Sequence, residues 1–510
     1  MSTIYIEEFA NKGWTALFRN EVESINPRPI SNRPVSAQWA IDHILRYHAA
    51  KNNIGIPGQP GFGVGLFPQN VPTGFFELDG TKNIGSPQYG NYAYTDGSVM
   101  VWIPAFYYRI GHENNPTYST YLANSIDVKP IFEFSNPTVA LENGYIIPQA
   151  FYNNDSLELG FMIDKYQCSN NNGIASSIRL KVPLSTASAR SPFTTLHNVS
   201  GTTARHAFDA AKTRGTSFQI TSRQQYTACA LLSMAHAQAS TNTEVCAWHD
   251  PNGITNYPKG NNNNLSDVDD SQVRWVTAGY GGCGLTGSAG IVPTEGNLFA
   301  KSTHNGQDCG VADLNGNMWE LSLGITRPGA TDTDNSIVND DTAFFILKNT
   351  IDSTLVTGDW NTEYSAFGDS SHLLELYDKV TITQLPNSLE WICYGSGTNQ
   401  VLSNDTTGLN QTLTSFGIFT TAGSGSIGIN LFGNDAVWSQ HSSNLISATG
   451  GSFNNGTNAG IWAWTMLYDR NNVSATGNVG FRSSTYLQSY NLLQENFYFL
   501  LLENGERILI

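Results

Sequence analysis

The sequence predicts an α+β fold of many short strands, two helices and long loops, with a small module ahead of the main body. Three observations predict it. Charged residues make up only 13% of the chain against 40% hydrophobic and 11% aromatic, with 48 glycines among 510 residues, a composition that suits a loop-rich, mostly β protein and argues against a disordered one. Strand-like apolar runs are brief and end in Asn, Gly or Ser. In the body only "ARHAFDAAKTRG" and "SRQQYTACALLSMAHAQAS" combine helical spacing with end signals. A chain of this length buries at least one sizeable core.

The leading module spans residues 1–95. Its helical stretch, "VSAQWAIDHILRYHAAK", lies between the Pro-rich "INPRPISNRP" and the Gly/Pro-rich "GIPGQPGFGVGLFPQNVPTG", breakers that bound a unit suited to attachment or oligomerisation. Trp39, Ile41, Ile44, Leu45 and His48 recur at helical spacing. His43 and His48 stand five apart, which points them away from each other and argues against a metal pair.

The body follows. "DGSVMVWIPAFYYRI" from Asp96 and "GFMIDKYQCSNN" from Gly160 read as strands. The first helix is Ala-rich and is expected to stop at Gly215. Ser222 caps the second, which places Tyr226, Ala230, Leu231, Met234 and Ala235 on an apolar face, with His206 and His236 as structural histidines. Beyond Ala239, short aromatic strands alternate with long polar loops. Residues 489–510 close the chain as a tail-piece, "FYFLLLENGERILI" being two β runs about Asn504-Gly505, a strong hairpin signal.

Several function classes drop out. A formal charge of −16 repels phosphate backbones and anionic membranes, so nucleic acid is not an expected partner. The opening "MSTIYIEEFANKGW" carries Glu7, Glu8 and Lys12 where a signal peptide needs apolar residues, and no apolar run approaches the ~20 residues of a membrane span. Synthesis in the cytoplasm without membrane insertion is the expectation. The six cysteines show no CxxC pair and read as buried thiols. Neither a GxSxG elbow nor a GxxxxGK[ST] loop is present. Glu158, Asp164 and Glu363 stay unassigned as a glycosidase pair, because that role is set by a ~5–9 Å separation. "SDVDDSQ", with Asp267, Asp269 and Asp270, could hold calcium or be a solvated loop; no other cofactor is expected, and the metal question stays open.

In "DLNGNMWE", Asn315-Gly316 suits a tight turn with positive φ, Trp319 fills core, and Glu320 is expected to be held by backbone amides. In "VGFR", Phe481 enters the core and Arg482 is expected to pair bidentately with a buried carboxylate, Glu320. Gly450 and Gly451 let backbone pass close to a neighbour. Taken in order, "MVWIPAFYY", "FMIDKYQCSN", "LLSMAHAQA", "GVADLNGNMWELSLG", "GGSFNNGTNAG" and "GNVGFRSS" resemble the formylglycine-generating-enzyme type of C-type lectin fold over residues 96–488. Within it the chain is most similar to the variable proteins of diversity-generating retroelements, including the major tropism determinant type of phage tail receptor-binding adhesin.

Two readings follow from the resemblance. The related sulfatase-activating enzymes use a cysteine pair and copper near the C-terminus, and this chain has no cysteine after Cys393; the iron-dependent sulfoxide synthases use a His cluster that His43 and His48 do not reproduce. The resemblance therefore implies a non-enzymatic variable protein of a virion tail: a homotrimer seated among other tail proteins, binding a protein or glycan of the host cell surface through the variable-type segment 450–484. Alternation in "IWAWTMLYDR" sets Ile461, Ala463, Thr465 and Leu467 on one side and Trp462, Trp464, Met466 and Tyr468 on the other. Trp, Tyr and Arg are favoured binding anchors. Asn454, Asn455, Trp462, Trp464, Met466, Tyr468, Asp469 and Arg470 are thus the candidate ligand contacts, with Asp469 and Arg470 at a polar rim. A formylglycine-generating-enzyme-like or polysaccharide-degrading virion enzyme, and a structural tail component, are the alternatives.

Overall fold

The computed structural model describes residues 53–68, 71–252, 260–263, 300–327, 342–357, 373–382, 391–393, 435–440, 444–470, 472 and 477–487, with the backbone of a few short paired segments elsewhere. The apolar runs of the body become strands because aromatic and β-branched side chains pack well on a pleated surface. In chain order they are β1 (Phe75–Glu77), β2 (Asn91–Tyr94), β3 (Val99–Pro104), β4 (Gly160–Asp164), β5 (Gln219–Ile220), β6 (Trp319–Arg327), β7 (Ala343–Leu347), β8 (Tyr377–Thr381), β9 (Trp391–Cys393), β10 (Ala436–Ser439), β11 (Leu445–Thr449), β12 (Trp464–Asp469), β13 (Val479–Phe481) and β14 (Ser483–Thr485).

The fold is α+β, mostly strands with few helices. A six-stranded antiparallel sheet runs in the order β5-β14-β4-β3-β2-β1. An eight-stranded mixed sheet runs β8-β7-β6-β11-β12-β10-β9, with β13 parallel to β6 in the register Trp319↔Val479 to Leu321↔Phe481. The chain leaves the larger sheet at Phe481 and enters the smaller one at Ser483, so Arg482 sits where the two join.

Two helices flank the larger sheet. The first, α1 (His206–Lys212), ends earlier than expected: Thr213 is its C-cap and its Oγ1 donates to the Ala210 carbonyl at 2.7 Å, so Gly215 lies beyond the stop. The second, α2 (Arg223–Ala239), begins with the expected Ser222 cap, completed by Gln225 into a reciprocal capping box. Its expected single apolar face is corrected, since residues 223–238 are buried on every side. The helix packs against β6, β11, the Gln149–Phe151 turn and the Ile126–Pro130 strand, which leaves no water-facing stripe.

Two apolar clusters form the main core. One gathers Tyr226, Leu231 and Met234 of α2, Ile103 and Phe161 of the smaller sheet, and Trp462, Trp464 and Met466. The other gathers Ala207, Phe208 and Ala211 of α1 with Trp319, Leu321, Ala448, Ala463 and Phe481. The larger sheet is thus covered on both faces.

Residues 53–95 contribute Ile54, Phe62 and Val64 to the core and add β1 and β2 to the smaller sheet. Of the span before them only Thr3–Ile4, paired with Val35–Ser36, is described; the rest of the expected helix, with His43 and His48, lies outside the described residues, as do Glu363 and the Asp267–Asp270 loop. At the other end Leu500–Leu501 pairs antiparallel with Arg507–Ile508, and the expected turn at Asn504-Gly505 lies outside the described residues. Cys168, Cys229, Cys246 and Cys309 are free and buried. Among the described residues no helix is long and apolar enough to cross a membrane.

Candidate functional site

The segment singled out by the sequence, 450–484, ends on Arg482, whose guanidinium spends all its donors. Nε and Nη2 meet Glu320 Oε2 and Oε1, both at 2.8 Å; Nη1 reaches the carbonyls of Asp164 and Lys165 at 2.7 and 2.9 Å; and Nη2 also reaches the Ala312 carbonyl at 2.6 Å. The bidentate pair with Glu320 is the one the sequence leads one to expect. Glu320 itself is held differently: side chains take the place of backbone amides, with Gln167 Nε2 on Oε1 at 2.9 Å and the Tyr226 hydroxyl on Oε2. Burial opposes the charge on Arg482, and Glu320 beside it outweighs burial, so its pKa is held above the ordinary value. Burial and then Glu320 push the Tyr226 phenol well up.

A second lock lies alongside. Arg214 Nη1 and Nη2 grip Asp164 at 2.5 and 3.1 Å, its Nε faces Asp96 at 3.1 Å, and the Ser483 amide donates to Asp164 Oδ2 at 3.0 Å. Burial raises the Asp164 carboxyl while Arg214 pulls it back. Asp164, a candidate acid by sequence, is therefore consumed by structure.

The turn before β6 has positive φ at Gly316 (156°), as expected, and also at Asp313 (60°) and Asn317 (68°). Gly316 is needed for proximity, since a Cβ there would lie 2.7 Å from the Asn261 carbonyl oxygen. Gly450 (φ 92°) likewise presses on the Leu314 carbonyl, where a Cβ would lie 2.7 Å away.

The aromatic run overturns the expected display. Trp462, Trp464 and Met466 are each 0% exposed and Arg470 is 2% exposed. Strand β12 is interior, with β11 on one side and β10 on the other. Alternation therefore sorts its side chains between two cores: Trp464 and Met466 fall into the α2 cluster and Ala463 into the α1 cluster. Phe344 meets Trp464 edge-on at 6.4 Å, and the Arg223 guanidinium lies 5.6 Å from its ring centre. Arg470 donates to Thr326 Oγ1 at 2.6 Å and is no rim residue.

What faces solvent is a different subset. Asn454 is exposed and Asn455 half-buried on the turn after β11, where Asn454 Oδ1 accepts from Ser452 Oγ and Asn478 Nδ2. On β12 Leu467 is 39% exposed, although the alternation sets it on the side opposite the large aromatic residues. Asp469 and Tyr468 are half-buried, and burial raises the phenol pKa of Tyr468. The backbone beneath is tied down by Phe453 N–H to the Asn317 carbonyl at 2.9 Å, Gly456 N–H to the Asn262 carbonyl at 2.9 Å, and Trp462 N–H to Asp435 Oδ2 at 3.0 Å.

Two buried imidazoles pin the Gly-rich stretch 54–65. His236 Nδ1 accepts from Gly58 N–H at 3.0 Å while Nε2 faces the Val245 carbonyl at 3.0 Å. His304 Nδ1 accepts from Val311 N–H and Nε2 faces the Gly63 carbonyl, each at 3.0 Å. Each ring needs one bare nitrogen, so both are neutral, and burial lowers both pKa values to about 4. His236, Arg482 and Lys165 further disfavour a proton on His304.

Chemistry at thiols is disfavoured, because burial raises Cys229 to about 12 and Cys246 to about 11. Among the described residues no cluster of His, Cys, Asp or Glu suits a metal ion. No protein-family model matches the chain, and a search of curated proteins finds no significant match.

Three partners of this frame escape sequence reasoning: Gln167, Arg214 and Tyr226. A signal for them exists in "GFMIDKYQC", where Asp and Lys interrupt an apolar strand and so require buried partners from elsewhere.

Replacing Arg482 by Met strands Glu320 in the core and is expected to cost about 3–5 kcal/mol of unfolding free energy in urea titrations. Trp464→Ala is expected to cost about 3–5 kcal/mol by the same measurement, and Leu467→Ala less than about 1. The histidines predict acid sensitivity. Their folded pKa of about 4 lies below the unfolded 6.5, so the unfolded chain takes up protons first as pH falls. Stability is full above pH ~6.5 and drops between there and ~4 by about 1.4 kcal/mol per pH unit for each ring. Thermal unfolding across that window should show the slope, and His304→Gln should roughly halve it, leaving the His236 share.

Proposed function

We propose that this protein is a phage or prophage tail receptor-binding protein whose C-type-lectin-like body, of the formylglycine-generating-enzyme type, presents segment 450–484 to a molecule of the host cell surface. One observation supports the reading: the backbone of 450–470 is anchored by buried groups along its length, while Asn454, Asn455, Leu467, Tyr468 and Asp469 keep access to solvent. A surface ordered before contact loses little conformational entropy on binding, and more of its contact energy reaches affinity. In this reading Trp462, Trp464, Met466 and Arg470 serve as scaffold, and the exposed subset carries contact. Three copies on a virion would turn modest single-site affinity into durable attachment.

A hydrolytic reading has its own observation. Burial and then the charge of Asp352 push Glu158 up to about 7, where a carboxyl donates a proton near neutral pH, and Glu158 lies close enough to Tyr486 to raise that phenol too. Incubation with isolated host-surface polysaccharide separates the two, since new reducing ends that Glu158→Gln abolishes belong to an enzyme alone.

Binding of labelled protein to host cells tests the adhesin. The triple variant Asn454→Ala, Leu467→Ala and Asp469→Ala is expected to lose roughly tenfold or more in affinity, about 1.4 kcal/mol, while staying folded under the binding conditions, with a stability loss of about 1–2 kcal/mol in urea titrations. Unaltered binding and infection would leave the protein a structural tail component.

A further inference from the structure

We propose that Lys165 and Asn91 are joined by an intramolecular isopeptide bond from Lys165 Nζ to Asn91 Cγ. Lys165, the residue after β4, is 2% exposed, and Asn91, the first of β2, is 0% exposed. Nζ lies 2.5 Å from Asn91 Oδ1, 2.7 Å from the Asp308 carbonyl and 3.2 Å from the Pro87 carbonyl. All three are neutral oxygens. A buried ammonium with no carboxylate against it is costly, whereas a neutral amine or an amide at the same place is not.

The partner is held ready. Asn91 Nδ2 donates to the carbonyls of Tyr89 at 2.9 Å and Cys309 at 2.8 Å, which fixes the carboxamide with its oxygen toward the lysine. Cγ is one bond beyond Oδ1, so the amine and the carboxamide carbon start close together, which favours an intramolecular reaction. Burial lowers Lys165 to about 8, which leaves roughly a tenth of it as free amine at neutral pH. The Asp308 carboxyl is raised by burial and lies within electrostatic reach of Lys165.

The step balances without a co-reactant. The Nζ lone pair forms the bond to Cγ, the Cγ–Nδ2 bond breaks, and Nδ2 leaves as ammonia with one proton taken from Nζ. The product ties β2 to the end of β4 across the intervening β3, closing a loop between residues 74 apart in sequence. Such a cross-link restricts the unfolded chain much as a long-range disulfide does.

The intact mass of the purified full chain tests the bond. It is expected about 17 Da below the mass of the sequence, the mass of one ammonia, with a branched peptide joining residues 91 and 165 after digestion. Asn91→Asp is expected to lose about 18 Da instead, as water, and Lys165→Arg to lose nothing. A wild-type mass equal to that of the sequence, unchanged after days at about pH 9 where the amine is mostly neutral, overturns the proposal. So does a loss that maps to any other residue. The wild-type measurement stands alone if either variant fails to fold.

Discussion

The pairing of Arg482 with Glu320 is the constraint on which the rest of the structure depends. Arg482 separates β13 from β14, so a single residue stands between the two sheets, and its guanidinium binds both: Glu320 on the larger, the carbonyls of Asp164 and Lys165 at the end of the smaller. A charge placed there must be fully paired, because an uncompensated buried ion costs several kcal/mol. The geometry leaves the guanidinium no idle donor. Neighbouring buried groups, Asp164 with Arg214 and Ser483, are arranged around the same seam.

This seam accounts for the behaviour of segment 450–470. β13 runs parallel to β6 and β11 antiparallel to it, and β12 lies between β11 and β10 as an interior strand. Both its faces then meet helices, α2 through one cluster and α1 through the other. Large side chains in such a strand act as wedges that hold the backbone, and display is left to the turn carrying Asn454 and Asn455 and to the end of the strand. Rigidity and accessibility are divided among different residues of one segment.

Much of the frame was legible in the sequence because its cues are local. Ser222 with Gln225 marks a helix start by reciprocal hydrogen bonding, Asn504-Gly505 marks a hairpin, and an Arg in an apolar strand calls for a carboxylate. The misreadings share a cause. Period-two alternation states that Trp464 and Thr465 face opposite ways, but not whether either way leads to water, and the burial of both depends on layers contributed by residues more than 200 positions earlier. The same applies to α2, whose apolar stripe was correct as far as it went and incomplete because four elements surround it.

By itself the sequence determined most element types, the Ser222 cap and the residues of the central ion pair, since each follows from short-range chemistry of neighbouring side chains. Tertiary structure alone decided which strand faces meet solvent, that Glu320 is gripped by Gln167 and Tyr226, that Asp164 belongs to Arg214, and that Lys165 lies against Asn91. Those outcomes rest on distances between segments far apart along the chain, and no local pattern encodes them.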